Sequence, residues 1–181
     1  MLATIPSGNA EQVAALLQEG ADPNAQGQIS SAESKAPSAT PLIAASAFGH
    51  EAIVQKLIAS GANVDMPDGS KFRWNALMVA SFRGHEDVVR TLLDHGAQLN
   101  AADALGTTAL SYAGFGKQPK IEKLLGGKGG KRSPKMDFNA ALNAVLNINS
   151  LTPCSKELEK YTYVCFPHSE SNKGGAVDPS K

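Results

Sequence analysis

The feature that most constrains this chain is a pattern that repeats about every 33 to 35 residues. Thr40-Pro41-Leu42-Ile43-Ala44-Ala45-Ser46-Ala47-Phe48-Gly49-His50 aligns with Asn75-Ala76-Leu77-Met78-Val79-Ala80-Ser81-Phe82-Arg83-Gly84-His85. Both align with Thr108-Ala109-Leu110-Ser111-Tyr112-Ala113-Gly114-Phe115-Gly116. A second apolar run follows each copy: Ile53, Val54, Leu57, Ile58, then Val88, Val89, Leu92, Leu93, then Ile121, Leu124, Leu125. Gly61-Ala62-Asn63-Val64-Asp65 and Gly96-Ala97-Gln98-Leu99-Asn100 close the first two. A half-copy precedes them, Val13-Leu16-Leu17 followed by Gly20-Ala21-Asp22-Pro23-Asn24.

Apolar residues at i, i+1, i+4 and i+5 form one stripe on a helix of 3.6 residues per turn. Each predicted helix is too short to persist alone, so it must bury its stripe against neighbours. Glycine at 61 and 96 takes the left-handed stop of a helix at low cost. Thr40-Pro41 reads as an N-cap followed by proline at the first helical position. The expected helix pairs are 2–6 with 10–19, 41–48 with 51–59, 76–83 with 86–94, and 109–115 with 118–125. Copies stacked in register share one long core, with contacts between neighbours only.

This pattern resembles the ankyrin repeat, with its TPLHxAA opening, its Gly-His turn between helices and its LLxxGAxxN close. The likeness covers about residues 2–126. It implies an all-α solenoid of about four antiparallel helix pairs whose β-turn hairpins project to one side. It also implies a non-catalytic adaptor or scaffold that holds a protein partner, with no cofactor. The implied repeats span about 1–25, 40–65, 75–100 and 108–126.

The departures are informative. The histidine of TPLH is replaced by Ile43, Met78 and Ser111, which predicts that its tie to neighbouring turns is lost. The first copy lacks its opening and carries Pro6 in its short first helix; it reads either as a degenerate cap or as the start of a cut chain. Residues 26–39, rich in Ser, Ala, Gly and Pro, read as a flexible hairpin insertion. The last copy is expected to lose its close in Gly126-Gly127, with 127–133 as a linker. Residues 134–166 read as a capping extension whose first helix carries Phe138, Ala141, Leu142 and Val145 on one face. Its expected role is to cover the open end of the stack. Residues 167–181 read as a disordered tail.

Several chemistries fail on spacing. Gly126-Gly127-Lys128-Gly129-Gly130-Lys131-Arg132-Ser133 is not a phosphate loop. The pattern G-x-x-x-x-G-K-S/T ending at Lys131 needs glycine at Leu125 and a hydroxyl at Arg132, and no strand precedes it. Cys154, Cys165 and His168 lack a fourth zinc ligand. The two cysteines read as free thiols, or as one disulfide if the chain is extracellular. His50 and His85 recur in the Gly-His turns and read as structural ties, while His95 suits a helix C-terminus. No nucleophile–base pair stands out, so an enzyme is not expected.

The expected partner surface is the inner face of the stack, where alignment puts Ala44, Val79 and Tyr112 in one column. Ala47, Phe82 and Phe115 form a second, and Phe48, Arg83 and Gly116 a third. Phe72, Arg73 and Trp74 on a hairpin lead into it. These aromatic and Arg side chains are the types that carry interface energy, and Phe48, Val79, Phe82, Arg83, Tyr112 and Phe115 join them as candidate contacts. A weaker candidate, for an anionic partner, is the basic run Lys117, Lys120, Lys123, Lys128, Lys131, Arg132 and Lys135. The formal net charge of zero gives no whole-chain field toward nucleic acid. The sequence has no run of apolar residues long enough for a transmembrane helix, and residues 1–20, without a basic start and an apolar block, are not expected to be a secretory signal. A chain monomeric without its partner, in the cytoplasm, is the expectation, leaving nuclear or extracellular locations open.

Overall fold

A computed structural model of the chain describes residues 1–27 and 38–133. The expected capping extension and tail, and most of the expected insertion, lie outside the described residues. An opening 3₁₀ helix (Leu2–Ser7) is followed by α1 (Ala10–Gln18), α2 (Pro41–Phe48), α3 (Glu51–Ala59), α4 (Ala76–Arg83), α5 (Glu86–Asp94), α6 (Ala109–Phe115) and α7 (Pro119–Gly127). These form four successive pairs, each bound within a residue or two of the predicted limits.

The inner helices α2, α4 and α6 are each started by a side-chain cap. Thr40 Oγ1 accepts from Ile43 N at 3.2 Å, Asn75 Oδ1 from Met78 N at 3.0 Å, and Thr108 Oγ1 from Ser111 N at 3.5 Å. Such caps satisfy one of the N–H groups that a helix start leaves open. Gly49 and Gly84 then turn the chain into the outer helix with φ of 74° and 88°. In the fourth pair Lys117 takes that turn at φ 54°. The first pair opens in 3₁₀ form, with Thr4 N donating to Met1 O and Gly8 N to Ile5 O; Pro6, inside it, has no N–H to give.

The inner helices α2, α4 and α6 form one row and the outer helices α1, α3, α5 and α7 another. Ile53 and Leu57, Val88 and Leu92, and Ile121 and Leu125 fill the seam between the rows and are fully buried. Each such side chain contributes about 1.5–3 kcal/mol through burial. On the hairpin side, Gly27 and Ala39 exchange backbone hydrogen bonds of 3.1 and 2.8 Å, closing the base of the insertion. Adjacent hairpins are joined by Gly69 N to Ser38 O at 2.7 Å and Ala104 N to Phe72 O at 2.9 Å.

Three expectations at the C-terminal end are corrected. The fourth close is not lost; it lies three residues further on. Gly130 N donates to Leu125 O at 2.8 Å, as Ala62 N does to Leu57 O and Ala97 N to Leu92 O. Gly129, at φ 89°, therefore stands where Gly61 and Gly96 stand. Residues 128–133 are accordingly not a linker. They return across the last pair, where Thr108 Oγ1 donates to Lys131 O at 2.6 Å and Thr108 N donates to Ser133 Oγ at 2.9 Å. Nor is the tie of the replaced histidine absent throughout. Ser111 Oγ donates to Ser133 Oγ at 3.0 Å and accepts from Ser133 N at 2.9 Å.

The end of the stack is also polar. Val54 and Val89 are buried between pairs, but Glu122 occupies their place in α7 and pairs with Arg132. Ile43 and Met78 give way to Ser111. A terminal repeat of a solenoid must expose a face to water, and these substitutions supply a polar one.

Candidate functional site

The two inner columns nearest the hairpins meet an aromatic chain. Phe72 and Trp74 stack with ring centroids 5.2 Å apart, and Trp74 meets Tyr112 edge-on at 5.8 Å. Tyr112 in turn meets Phe82 at 6.4 Å and Phe115 at 6.0 Å, both edge-on. Asp103 binds the middle of this chain. Its Oδ2 accepts from Tyr112 OH at 2.5 Å and Trp74 Nε1 at 3.3 Å. Its Oδ1 accepts from Leu105 N and Thr107 N, which shapes the hairpin. Burial, reinforced by the Asp103 charge, holds the Tyr112 hydroxyl above its ordinary range, so it stays a donor.

These contacts divide the expected partner surface. Phe72, Trp74, Val79 and Tyr112 are 1%, 4%, 4% and 3% exposed. They are core residues, because each ring or branched side chain finds apolar neighbours before it reaches the surface. Phe115 is 40% exposed, while Phe48, Phe82 and Arg83 are half-buried. Phe48 stacks on His50 at 5.9 Å. Burial brings the Arg83 guanidinium down to about 10 from its usual range, still charged at neutral pH. Arg73 is exposed on its hairpin at φ 57°. Beside it, Asp65, Asn75, Gln98 and Asp103 line an open cleft of about 320 Å³ between adjacent hairpins.

Asp68 occupies in the preceding hairpin the place of Asp103. Its Oδ1 accepts from Ser70 Oγ at 2.8 Å and from Trp74 N at 3.0 Å. Its Oδ2 is buried without a partner among the described residues, because Val79 stands where Tyr112 does and cannot donate. Burial raises the Asp68 carboxyl above the usual carboxylate range, against hydrogen bonds from Ser70 and Trp74 that lower it.

The histidines act within the scaffold. His85 Nε2 donates to Ala47 O at 3.1 Å, and its ring lies where a Cβ on Gly49 would fall, at 2.5 Å. Burial lowers its pKa, the hydrogen bond to Ala47 opposes that, and the charges of Arg83 and His50 add to the lowering. His50 lies against Gly8 in the same way, but its Nε2 has no partner among the described residues. His95 Nδ1 donates to Thr91 O at 2.8 Å. Among the described residues no group of His, Cys, Asp and Glu is placed to hold a metal, and no helix is long and apolar enough to cross a membrane.

Lys117, Lys120, Lys123, Lys128, Lys131 and Arg132 are all exposed on the last pair and its close. Lys135 lies outside the described residues. Residues 1–27 contain Glu11, Glu19 and Asp22 and no Lys or Arg. The zero net charge therefore conceals an acidic start and a basic end of the stack. Sequence reasoning passed over Asp103, and it read Asn24, Asp65 and Asn100 as parts of the repeat close without assigning them a contact. Their signal is recurrence at one place in each repeat.

A family model of ankyrin repeats, in three copies, matches residues 1–103 and again 42–135. No curated protein matches the chain.

Proposed function

This chain belongs to the ankyrin-repeat family, and from that premise we propose that it is a non-catalytic adaptor that holds one protein partner against its inner helices and hairpin tips. Members of this family are generally protein-interaction modules and typically lack catalysis. The observation that carries the reading is the rim of the inner face. Phe115, the most exposed large apolar residue described, packs edge-on against buried Tyr112, so its position is set by the scaffold. Phe82 and Phe48 lie in the same rows, and Arg73 projects beside the cleft. Aromatic and Arg anchors held by a rigid support bind with little loss of side-chain entropy. The chain is monomeric until its partner is bound.

The test is capture of a partner from cell extract by the full chain and by a Phe82→Ala/Phe115→Ala variant. The variant loses capture while its helical circular dichroism is retained. Equal loss of fold and capture would assign both rings to the core.

The charge gradient favours a second reading, an anionic partner at the basic last pair. Binding through Lys117, Lys120, Lys123, Lys128, Lys131 and Arg132 would weaken steeply with salt. Retardation of a polyanion that ignores salt would dismiss it.

A further inference from the structure

Two departures from the repeat's own pattern meet in one cleft. Arg73 stands two residues before the cap of α4, as Gly106 stands two residues before the cap of α6. Both take left-handed backbone, at φ 57° and 76°. Both close the same turn, Arg73 N donating to Ser70 O and Gly106 N to Asp103 O. Glycine adopts this backbone freely and arginine does not, so the side chain at 73 is kept against the preference of its own backbone. Asn75 caps α4 where Thr40 and Thr108 cap α2 and α6. A hydroxyl suffices for that bond, and asparagine adds an amide N–H pair to it.

Asn75 is 4% exposed and lines the cleft of about 320 Å³ between adjacent hairpins. Its Oδ1 is turned to Met78 N, and its Nδ2 donates to no described residue. Arg73 lines the same cleft and forms no ion pair with a described residue. Asp103 is saturated, because its oxygens accept from Leu105 N, Thr107 N, Tyr112 OH and Trp74 Nε1. Asp65 accepts from Gln98 N through one oxygen only, and the Gln98 side-chain amide bonds no described residue. The cleft therefore holds unmet donors at Arg73 and Asn75 and unmet acceptors at Asp65 and Gln98. The positive charge of Arg73 is offset by the carboxylates beside it. A ligand carboxylate would meet Asp65 and Asp103, and a ligand ammonium would meet Arg73. Met78 and the alanines at 101, 102 and 104 make the rest of the lining apolar.

We propose that this cleft is a specificity pocket for a side-chain carboxamide, a glutamine of the protein partner. The glutamine C=O accepts from Asn75 Nδ2 and Arg73. Its NH₂ donates to Asp65 and to Gln98 Oε1, and its methylenes lie on Met78 and the alanines. A main-chain amide has no stem to reach buried Asn75 between two hairpins, whereas glutamine carries its amide on a flexible apolar one. The inference rests on the docking reading for the partner and on the cleft for the residue.

The probes are the N-acetyl methylamides of glutamine, glutamate and methionine, three side chains of nearly one shape, titrated into the full ¹⁵N-labelled chain. The glutamine probe is expected to shift the Asn75 side-chain amide and the backbone amides of 65, 73–75, 98 and 101–104. The shifts saturate with a dissociation constant on the order of 1–10 mM, the range open to a ligand of this size. Glutamate and methionine bind about tenfold more weakly, the first repelled and the second leaving the Asn75 amide unpaired. Asn75→Thr borrows the cap of Thr40 and Thr108, and Arg73→Gly borrows Gly106, so both keep the fold and the amides of α2 and α6 hold their positions. Each lowers the glutamine affinity about tenfold. A preference for glutamate would make the cleft an anion site, and equal binding of methionine would make it an apolar crevice; either overturns the proposal. So would the absence of a saturable shift, or an affinity that either variant leaves unchanged. None of these outcomes bears on whether Phe82 and Phe115 capture a partner, so the two readings fail separately.

Discussion

Asn100 holds the backbone of Lys131: its Oδ1 accepts from Lys131 N at 2.7 Å, and its Nδ2 donates to Gly129 O at 3.4 Å. The contact recurs along the stack. Asn24 accepts from Asn63 N at 2.7 Å and donates to Gly61 O at 3.0 Å. Asp65 accepts from Gln98 N at 2.9 Å. One short polar side chain per repeat thus sets the register of the next close. It also identifies Gly129-Gly130-Lys131 as the close of the fourth pair.

Replacing Asn100 with Ala removes the acceptor from an exposed bond and should cost about 0.5–1.5 kcal/mol. The loss should be local, so amides of residues 129–133 exchange faster while those of α2 and α4 do not. Asn100→Asp keeps the acceptor, as Asp65 does naturally, and should retain most of the protection. An Asp variant that exchanges as fast as the Ala variant would remove the ladder as the cause.

Two glycines should respond in opposite directions. A Cβ on Gly116 would lie 2.1 Å from Phe82 O, a backbone atom that cannot step aside. Gly116→Ala should destabilise by about 2 kcal/mol or more by forcing α6 away from α4. Gly126 lies in α7 with no described residue within 4 Å of its Cβ position. Gly126→Ala should stabilise by about 0.5–1 kcal/mol, the helix-propensity difference. Urea midpoints moving in the same direction for both would contradict the packing described.

Tyr112 joins the hairpin of one repeat to the inner helix of the next through Asp103. Tyr112→Phe keeps the ring contacts and leaves Asp103 Oδ2 with Trp74 alone, so about 1–3 kcal/mol should be lost. Trp74 emission should shift, because its Nε1 also lies 2.5 Å from the Tyr112 hydroxyl. The tyrosine pKa is raised in the folded state, so its contribution is full below pH ~10, the unfolded value, and is lost as pH rises beyond it. Alkaline unfolding that is the same in wild type and variant would show that the hydroxyl is not held.

The helix pairs and their caps were legible because each signal is local. Thr40-Pro41 announces a cap whatever surrounds it, Asn75 and Thr108 stand at the same place in the aligned copies, and the seam residues keep helical spacing. The side chains of the inner face were not legible. Alignment puts Tyr112 and Ala44 in one column, but burial of Tyr112 depends on Trp74 and Asp103 from other elements. The fourth close was hidden for a related reason. Gly126-Gly127 offers the first glycine after Leu125, whereas the hydrogen bond of Gly130 to Leu125 selects the later pair. Among four glycines, spacing from the last seam residue is the discriminating signal, and composition conceals it.

His85 makes acid sensitivity a further check. Its pKa is lowered in the folded state, chiefly by burial, so the folded chain resists the proton that the unfolded chain accepts. Above pH ~6.5, the unfolded value, both states are neutral and nothing is lost. As pH falls below it the unfolded state gains protons first, and stability declines until the folded-state pKa is passed. Gln118 occupies the equivalent turn and lies over Gly84 as His85 lies over Gly49, so glutamine is a tolerated substitute. His85→Gln should therefore flatten the decline in urea midpoint between pH 7 and 5 relative to wild type. Asp68 opposes this trend, since its raised carboxyl binds a proton earlier in the folded state, but it contributes equally to both chains and cancels in the difference. Parallel midpoint curves for the two proteins would mean that His85 is not shielded from water and that its contact with Ala47 does not govern the turn.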